Sequence, residues 1–78
     1  MQPRFKRFDV RKLIAQGIEP YPEIRKRVDA LKPGEGIAVI APFLPSPLIE
    51  RLRNEGYTSR LEPQPDGTFV TYFSKNAE

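Results

Sequence analysis

The chain is 78 residues long, has a net charge of +3, and contains neither cysteine nor histidine. It therefore cannot form a disulfide, use a thiolate as a nucleophile or metal ligand, or use an imidazole for proton transfer. Its 38% hydrophobic and 29% charged residues are typical of a soluble globular domain, and no apolar run approaches the roughly 18 residues of a membrane span.

The length limits the number of domains. A domain of about 60 residues buries only about 60% of its unfolded surface, so a chain of this size builds one small hydrophobic core. We therefore predict a single domain over residues 1–78, with an ordered core over about residues 5–74. Because an apolar signal segment is also missing, the cytoplasm is the expected compartment.

The first third of the chain predicts a strand, a connector and a helix. Residues 4–10 alternate approximately between charged and apolar side chains, which favours a first strand ending near Asp9. Residues 11–16 predict a compact connector of about one helical turn, which Gly17 stops. Two prolines then introduce a helix over about residues 20–31, along which apolar residues recur at helical spacing.

The middle of the chain predicts a buried strand and a second helix. Residues 32–36 (Lys-Pro-Gly-Glu-Gly) end the first helix and turn the chain. Residues 37–41 are continuously apolar, which indicates a strand buried in the centre of a sheet. Ser46 has the form of an N-cap followed by proline, so the second helix is expected over about residues 47–55, ending before Gly56.

Two further strands complete the predicted order. Residues 57–62 predict a third strand, which the prolines that follow it confine to a sheet edge. Asp66-Gly67 is typical of a two-residue hairpin and leads into a last strand over residues 68–74, followed by a frayed tail. The last strand is apolar or aromatic on both faces. Either a partner or another copy covers the open face, or that face tolerates exposed aromatic rings.

The resulting element order, β-α-β-α-β-β, predicts an α+β fold. Right-handed crossovers place both helices on one face of a mixed four-stranded sheet, which gives a two-layer sandwich. The predicted core consists of apolar residues from both helices and the central strand: Ile24, Val28, Leu31, Ile37, Val39, Ile40, Leu48 and Leu52.

Five short motifs follow one another along the chain: Asp9-Val10-Arg11, Gly17-Ile18-Glu19-Pro20-x-Pro22, Lys32-Pro33-Gly34-Glu35, Ala41-Pro42-Phe43 and Gly56-Tyr57. Together they resemble the TusA/SirA-like superfamily of small sulfur-carrier proteins, and more closely its cysteine-less branch, catalogued as a domain of unknown function. The resemblance extends over about residues 8–73. It implies a sheet with strand order 1-2-4-3.

The sulfur chemistry of that superfamily is not expected here. In the carriers, a Cys-Pro-x-Pro motif at the start of the first helix bears a persulfide, which the helix N-terminus stabilises as an anion. The prolines match at Pro20 and Pro22, but Glu19 stands at the cysteine position, and residues 12–16 are inserted before Gly17. A carboxylate cannot carry sulfane sulfur. We therefore predict no catalytic residue, no metal site and no cofactor.

A binding rim is predicted where the carboxyl ends of the strands meet the start of the first helix, since ligands gather there in α/β sheets. Its residues are Arg11, Glu19, Pro20, Tyr21, Phe43 and Leu44. Glu19 is favoured as a helix-start residue that interacts with the helix dipole, over a carboxylate that recognises a cationic partner. Phe43 has two equally weighted interpretations, a cap on the core and an anchor for a partner.

The predicted rim, the family resemblance and the charge distribution each give one hypothesis for function. Residues 1–32 carry nine basic and four acidic side chains, whereas residues 33–78 carry four basic and six acidic ones. A non-enzymatic protein-interaction or regulatory module with an unknown protein partner is favoured. The alternatives are an accessory protein in sulfur or metal-cofactor metabolism and, less favoured, a nucleic-acid-binding module that uses the basic half. The expected state is a monomer or weak homodimer without membrane attachment.

Overall fold

The computed structural model describes residues 4–75 and contains four strands and three helices in that range. The strands are β1 (Arg4–Asp9), β2 (Glu35–Ala41), β3 (Tyr57–Pro63) and β4 (Phe69–Lys75). The helices are α1 (Arg11–Ala15), α2 (Tyr21–Asp29) and α3 (Ser46–Asn54). None of these helices is long and apolar enough to cross a membrane.

The four strands form one mixed sheet in the order β1-β2-β4-β3. β1 pairs in parallel with β2, whereas β4 pairs antiparallel with both β2 and β3. This arrangement confirms the predicted α+β fold and its strand order. It leaves β1 and β3 at the two edges of the sheet.

One face of the sheet packs against the helices and forms the main core. Buried residues of this cluster are Val10, Ile24, Val28, Ile37, Val39, Ala41, Leu48, Leu52 and Phe73. Leu13 and Ile14 of α1 pack against the same cluster as half-buried residues. The predicted connector of one turn is therefore a third short helix on this face.

Seven of the eight predicted core residues are buried, but they do not all belong to one core. Side chains alternate between the two faces of a strand, so a continuous apolar run serves both faces. Ile40 accordingly lies on the opposite face, with Ala38 and Val70. Leu31 is only half-buried, because α2 ends at Asp29 before reaching it.

Several predicted element ends differ from the structure by one or two residues. The first helix begins at Tyr21, with Pro20 before it. Ser46 is the first residue of α3, and no side chain caps that helix within residues 4–75, so its predicted N-cap role is wrong. β4 continues to Lys75, one residue into the predicted tail. The rest of that tail, residues 76–78, lies outside the described residues.

The face of the sheet away from the helices is lined by two half-buried aromatic rings. Phe5 and Tyr72 pack edge to face, with ring centroids 5.0 Å apart, and both contact the second apolar cluster of Ala38, Ile40 and Val70. The guanidinium carbon of Arg60 lies 4.6 Å from the Tyr72 ring centroid. The domain's own side chains thus cover much of the apolar surface on this face.

Thr71 gives a first testable prediction. Its side chain is fully buried (0% exposed), and its hydroxyl has no hydrogen-bond partner among the described residues. Because an unsatisfied buried hydroxyl costs about 1–3 kcal/mol, Thr71→Val should stabilise the domain by about 1 kcal/mol. Thermal unfolding should then show a Tm higher by about 4–8 °C.

The same substitution elsewhere in the sheet supplies the control for Thr71→Val. The Thr58 hydroxyl donates a hydrogen bond to the Ser74 carbonyl oxygen at 3.0 Å, so Thr58→Val should give no gain. An equal gain at both positions would reflect valine's strand preference rather than a buried hydroxyl.

Candidate functional site

A cavity of about 440 Å³ lies at the edge of the sheet where β1 and β2 end. Because these strands are parallel, Val10 and Ala41 bring both carboxyl ends to the same edge. The first turns of α2 and α3 contribute Tyr21 and Leu48 to the walls, and the loop after β2 contributes Phe43. The topology therefore brings two strand ends and two helix starts to one opening.

Proline-rich chain segments form much of the cavity wall. Pro20 precedes α2, Pro45 precedes α3, and Pro47 lies in the first turn of α3, and all three line the cavity. Proline fixes the backbone dihedral φ and lacks an N–H donor, so these segments are rigid and their exposed ring surfaces are apolar. Phe43, in the loop between β2 and α3, is 46% exposed at the mouth of the cavity.

One polar contact joins the two helices beside the cavity. A guanidinium nitrogen of Arg51 (Nη1) donates a hydrogen bond to the Tyr21 hydroxyl at 3.2 Å, and the guanidinium carbon lies 5.4 Å from the Tyr21 ring centroid. Within residues 4–75, Arg51 makes no ion pair with an acidic side chain. The cavity wall thus combines apolar surface with one cation.

Four of the six predicted rim residues line this cavity: Glu19, Pro20, Tyr21 and Phe43. Leu44 is equally exposed but is not part of the lining. Arg11 is not there either, and its predicted position on this rim is wrong. Its guanidinium binds Asp9 through two hydrogen bonds from Nε, of 2.9 and 3.1 Å, and approaches Asp66 at 3.8 Å.

Arg11 lies instead beside a second cavity of about 340 Å³ on the open face of the sheet. There it joins the end of β1 to the hairpin between β3 and β4. The hydrogen bonds from the Arg11 side chain lower the pKa of Asp9 to about 2. Asp9 is therefore ionised throughout the physiological pH range. Its ion pair with Arg11 is a structural contact rather than a proton-transfer site.

Residues 7–75 match the family described as "Uncharacterized conserved protein (DUF2249)". The chain belongs to this family. No curated protein and no solved structure matches it. The match extends over both helices and both strand ends that surround the larger cavity of this DUF2249 domain, and it confirms the prediction of a family of unknown function.

A second ion-pair network fixes the two cavity helices of the DUF2249 domain to each other. Arg25 of α2 bonds Asp29 in its own helix at 2.8 Å and Glu55 after α3 at 2.6 Å. The hydrogen bonds that the Arg25 guanidinium donates to the carboxylates of Asp29 and Glu55 raise the pKa of Arg25 above its ordinary value. Together with the contact between Arg51 and Tyr21, this network links α2 to α3 and to the residue that follows it.

Glu19 is exposed at the cavity and precedes α2. Its carboxylate makes neither an ion pair nor a hydrogen bond with another side chain within residues 4–75. In the same range, no three potential metal-ligating side chains lie together. The site can therefore offer a partner an apolar wall, one carboxylate and one guanidinium.

Sequence reasoning missed Arg51. Its position in α3, three residues after Leu48 and four after Pro47, is the signal that could have found it. Residues three or four apart lie on the same face of a helix, so Arg51 lies on the face of α3 that lines the cavity with Pro47 and Leu48. The hydrogen bond to Tyr21 joins residues far apart in the chain, and a local pattern does not reveal it.

Proposed function

We propose that this domain is a non-enzymatic protein-interaction module that binds an apolar side chain of a partner protein in the larger cavity. The observation that carries the proposal is an apolar cavity of about 440 Å³ with the exposed ring of Phe43 at its mouth. This volume falls within the roughly 300–1,000 Å³ of typical binding pockets. Exposed aromatic rings beside such pockets are frequent energetic centres of interfaces.

The charged groups at the cavity support binding rather than catalysis. General acid–base catalysis requires a proton-transfer group that is oriented by hydrogen bonds and has a pKa near the working pH. Glu19 has no orienting side chain among the described residues, and Arg51 is engaged by Tyr21. An arginine side chain stays protonated and cannot serve as a base at neutral pH.

The proposed partner segment carries a large apolar side chain next to a basic residue. The apolar side chain enters the cavity and packs between Phe43 and Tyr21, and desolvation of these surfaces supplies most of the binding free energy. The basic residue lies over Glu19. Because Glu19 is exposed, that ion pair contributes only about 0–1 kcal/mol, and its main effect is on orientation.

A second candidate function rests on the position of Glu19. If this family is related to the TusA/SirA-like sulfur carriers, Glu19 stands where their sulfur-bearing cysteine would be. Glu19 also lines the cavity, so the surface equivalent to the persulfide site would be the docking site. The domain would then be an accessory protein in sulfur or metal-cofactor metabolism, and its partner would bring the chemistry.

The test is selection of ligands from a random peptide library on the immobilised domain, followed by amide NMR mapping of the selected peptides. Enriched peptides should share a large apolar residue beside a basic one. They should shift the amide signals of Tyr21, Phe43 and Leu48. Peptides without a shared apolar residue, or peptides that shift only the open sheet face, would contradict the proposed function.

A further inference from the structure

The outer side of β1 presents backbone groups that pair with no strand among residues 4–75. β1 is an edge strand, and within the described part of the chain β2 is its only neighbour in the sheet. The backbone N–H groups of Arg4 and Val10 donate to β2-side carbonyl oxygens at 3.0 Å. Because backbone groups of a parallel strand alternate in direction, those of Phe5, Arg7 and Asp9 point away from the sheet.

The two edges of the sheet are protected in different ways. β3 ends in Pro63, which has no N–H donor. β1 contains no proline, and basic side chains flank it instead: Arg4, Lys6 and Arg7 on the strand and Arg27 on α2. The acidic side chains beside them are themselves paired, Glu35 with Lys6 at 3.5 Å and Asp9 with Arg11. The β1 edge can therefore form backbone hydrogen bonds with a further strand, and the side chains around it are mainly basic.

A small pocket lies directly beside this edge on the helix side of the sheet. It has a volume of about 160 Å³, and its apolar lining includes Phe8, Leu31 and Ile37. Lys6 and Arg27 also line it, and the Arg27 guanidinium carbon lies 4.0 Å from the Phe8 ring centroid. This volume is below the roughly 300 Å³ of typical small-molecule sites, and suits a single side chain.

We propose that the β1 edge binds an extended acidic segment of a partner protein as a fifth strand of the sheet. In such strand addition, backbone hydrogen bonds supply affinity, and pockets for alternate side chains supply specificity. The outward groups of Phe5, Arg7 and Asp9 supply the hydrogen bonds, and the small pocket accepts one aliphatic side chain. This surface is separate from the larger cavity, so the inference goes beyond the proposed function.

The charge on the edge selects among the possible occupants. Pairing of two β1 edges would bring the basic side chains of Arg4, Lys6 and Arg7 opposite like charges, which is destabilising. A single-stranded nucleic acid would need exposed rings for base stacking. The Phe8 ring beside the edge is already covered by Arg27. An acidic strand matches both the charge and the backbone pattern.

The first test uses a short synthetic peptide that alternates glutamate and valine. When the peptide is saturating, hydrogen exchange of the Phe5, Arg7 and Asp9 amides should slow by about tenfold or more. Two further peptides carry backbone N-methyl groups on every second residue, in one phase or the other. The phase whose methyl groups face β1 should abolish binding, whereas the other phase should be tolerated. Equal binding by all three peptides would overturn the proposal.

The second test compares two double variants with the same change in net charge. Arg7→Glu/Arg27→Glu alters the β1 edge, whereas Arg53→Glu/Arg60→Glu alters the α3 and β3 side, and each pair includes one arginine stacked on an aromatic ring. The first should weaken peptide binding by about tenfold or more, and the second by about twofold at most. Equal losses would indicate a general charge effect and contradict the proposal.

Nucleic-acid binding is the competing outcome. A single-stranded RNA oligonucleotide should bind the domain more weakly than the acidic peptide at physiological salt. Tighter RNA binding, with a steep dependence on salt and no protection of the Phe5, Arg7 and Asp9 amides, would assign this surface to phosphate contacts and overturn the proposal.

Discussion

Replacing Gly36 with alanine is expected to destabilise the domain by about 2–3 kcal/mol, because the new methyl group has no space. A Cβ atom at Gly36 would lie 2.6 Å from the backbone carbonyl oxygen of Phe73 and 2.7 Å from the ring of Phe5. The ring can turn away only by leaving Tyr72, and the carbonyl belongs to the neighbouring strand β4. Thermal unfolding should show a Tm lower by roughly 10–20 °C.

Gly34→Ala is the matched control for this substitution. Gly34 has φ of +85°, and apart from its chain neighbours no heavy atom of residues 4–75 lies within 4 Å of the Cβ that alanine would add. Its substitution therefore introduces only backbone strain, at a cost of about 1 kcal/mol. If Gly34→Ala lowers the Tm as much as Gly36→Ala does, the close approach of Phe5 and Phe73 is not the cause.

Gly36 also shows which part of the fold a sequence pattern reveals. The local pattern assigns it to the turn before the central strand, but the structure places it inside β2, buried beneath the Phe5 ring. The apolar run of residues 37–41 and the proline-led helices follow from local spacing, so they are predictable. Contacts between β1 and β4 across β2 join distant parts of the chain, and no local spacing encodes them.

Some residues of the candidate site could likewise be predicted from the sequence, and others could not. Glu19, Pro20, Tyr21 and Phe43 could be predicted together because parallel strands end at one edge and the following helices begin there. Arg11 follows the end of β1 by two residues, just as Phe43 follows the end of β2 by two residues. Its side chain forms ion pairs with Asp9 and Asp66 instead. The contact with Asp66 depends on where the hairpin between β3 and β4 lies relative to β1. Topology therefore predicts backbone positions at the site better than the directions of long charged side chains.

Phe43→Ala is expected to weaken binding of the selected cavity peptides by about 2 kcal/mol, which is about 30-fold in Kd. The ring is 46% exposed in the free domain and would be desolvated by a bound apolar side chain. Glu19→Ser should change Kd much less, because an exposed ion pair contributes about 1 kcal/mol at most. Serine also suits a helix start, so stability should be nearly unchanged. Isothermal titration calorimetry with one peptide measures both variants.

Leu44→Ala separates a specific anchor from general apolar surface. Leu44 is adjacent to Phe43 and equally exposed at 46%, but it does not line the cavity. We expect Leu44→Ala to keep the affinity within about twofold, because contacts outside the buried centre of an interface are energetically near neutral. Thermal unfolding of the Phe43 variant completes the comparison. A large loss of stability with unchanged peptide affinity in the folded protein would show that Phe43 serves packing, and the cavity would lose its proposed anchor.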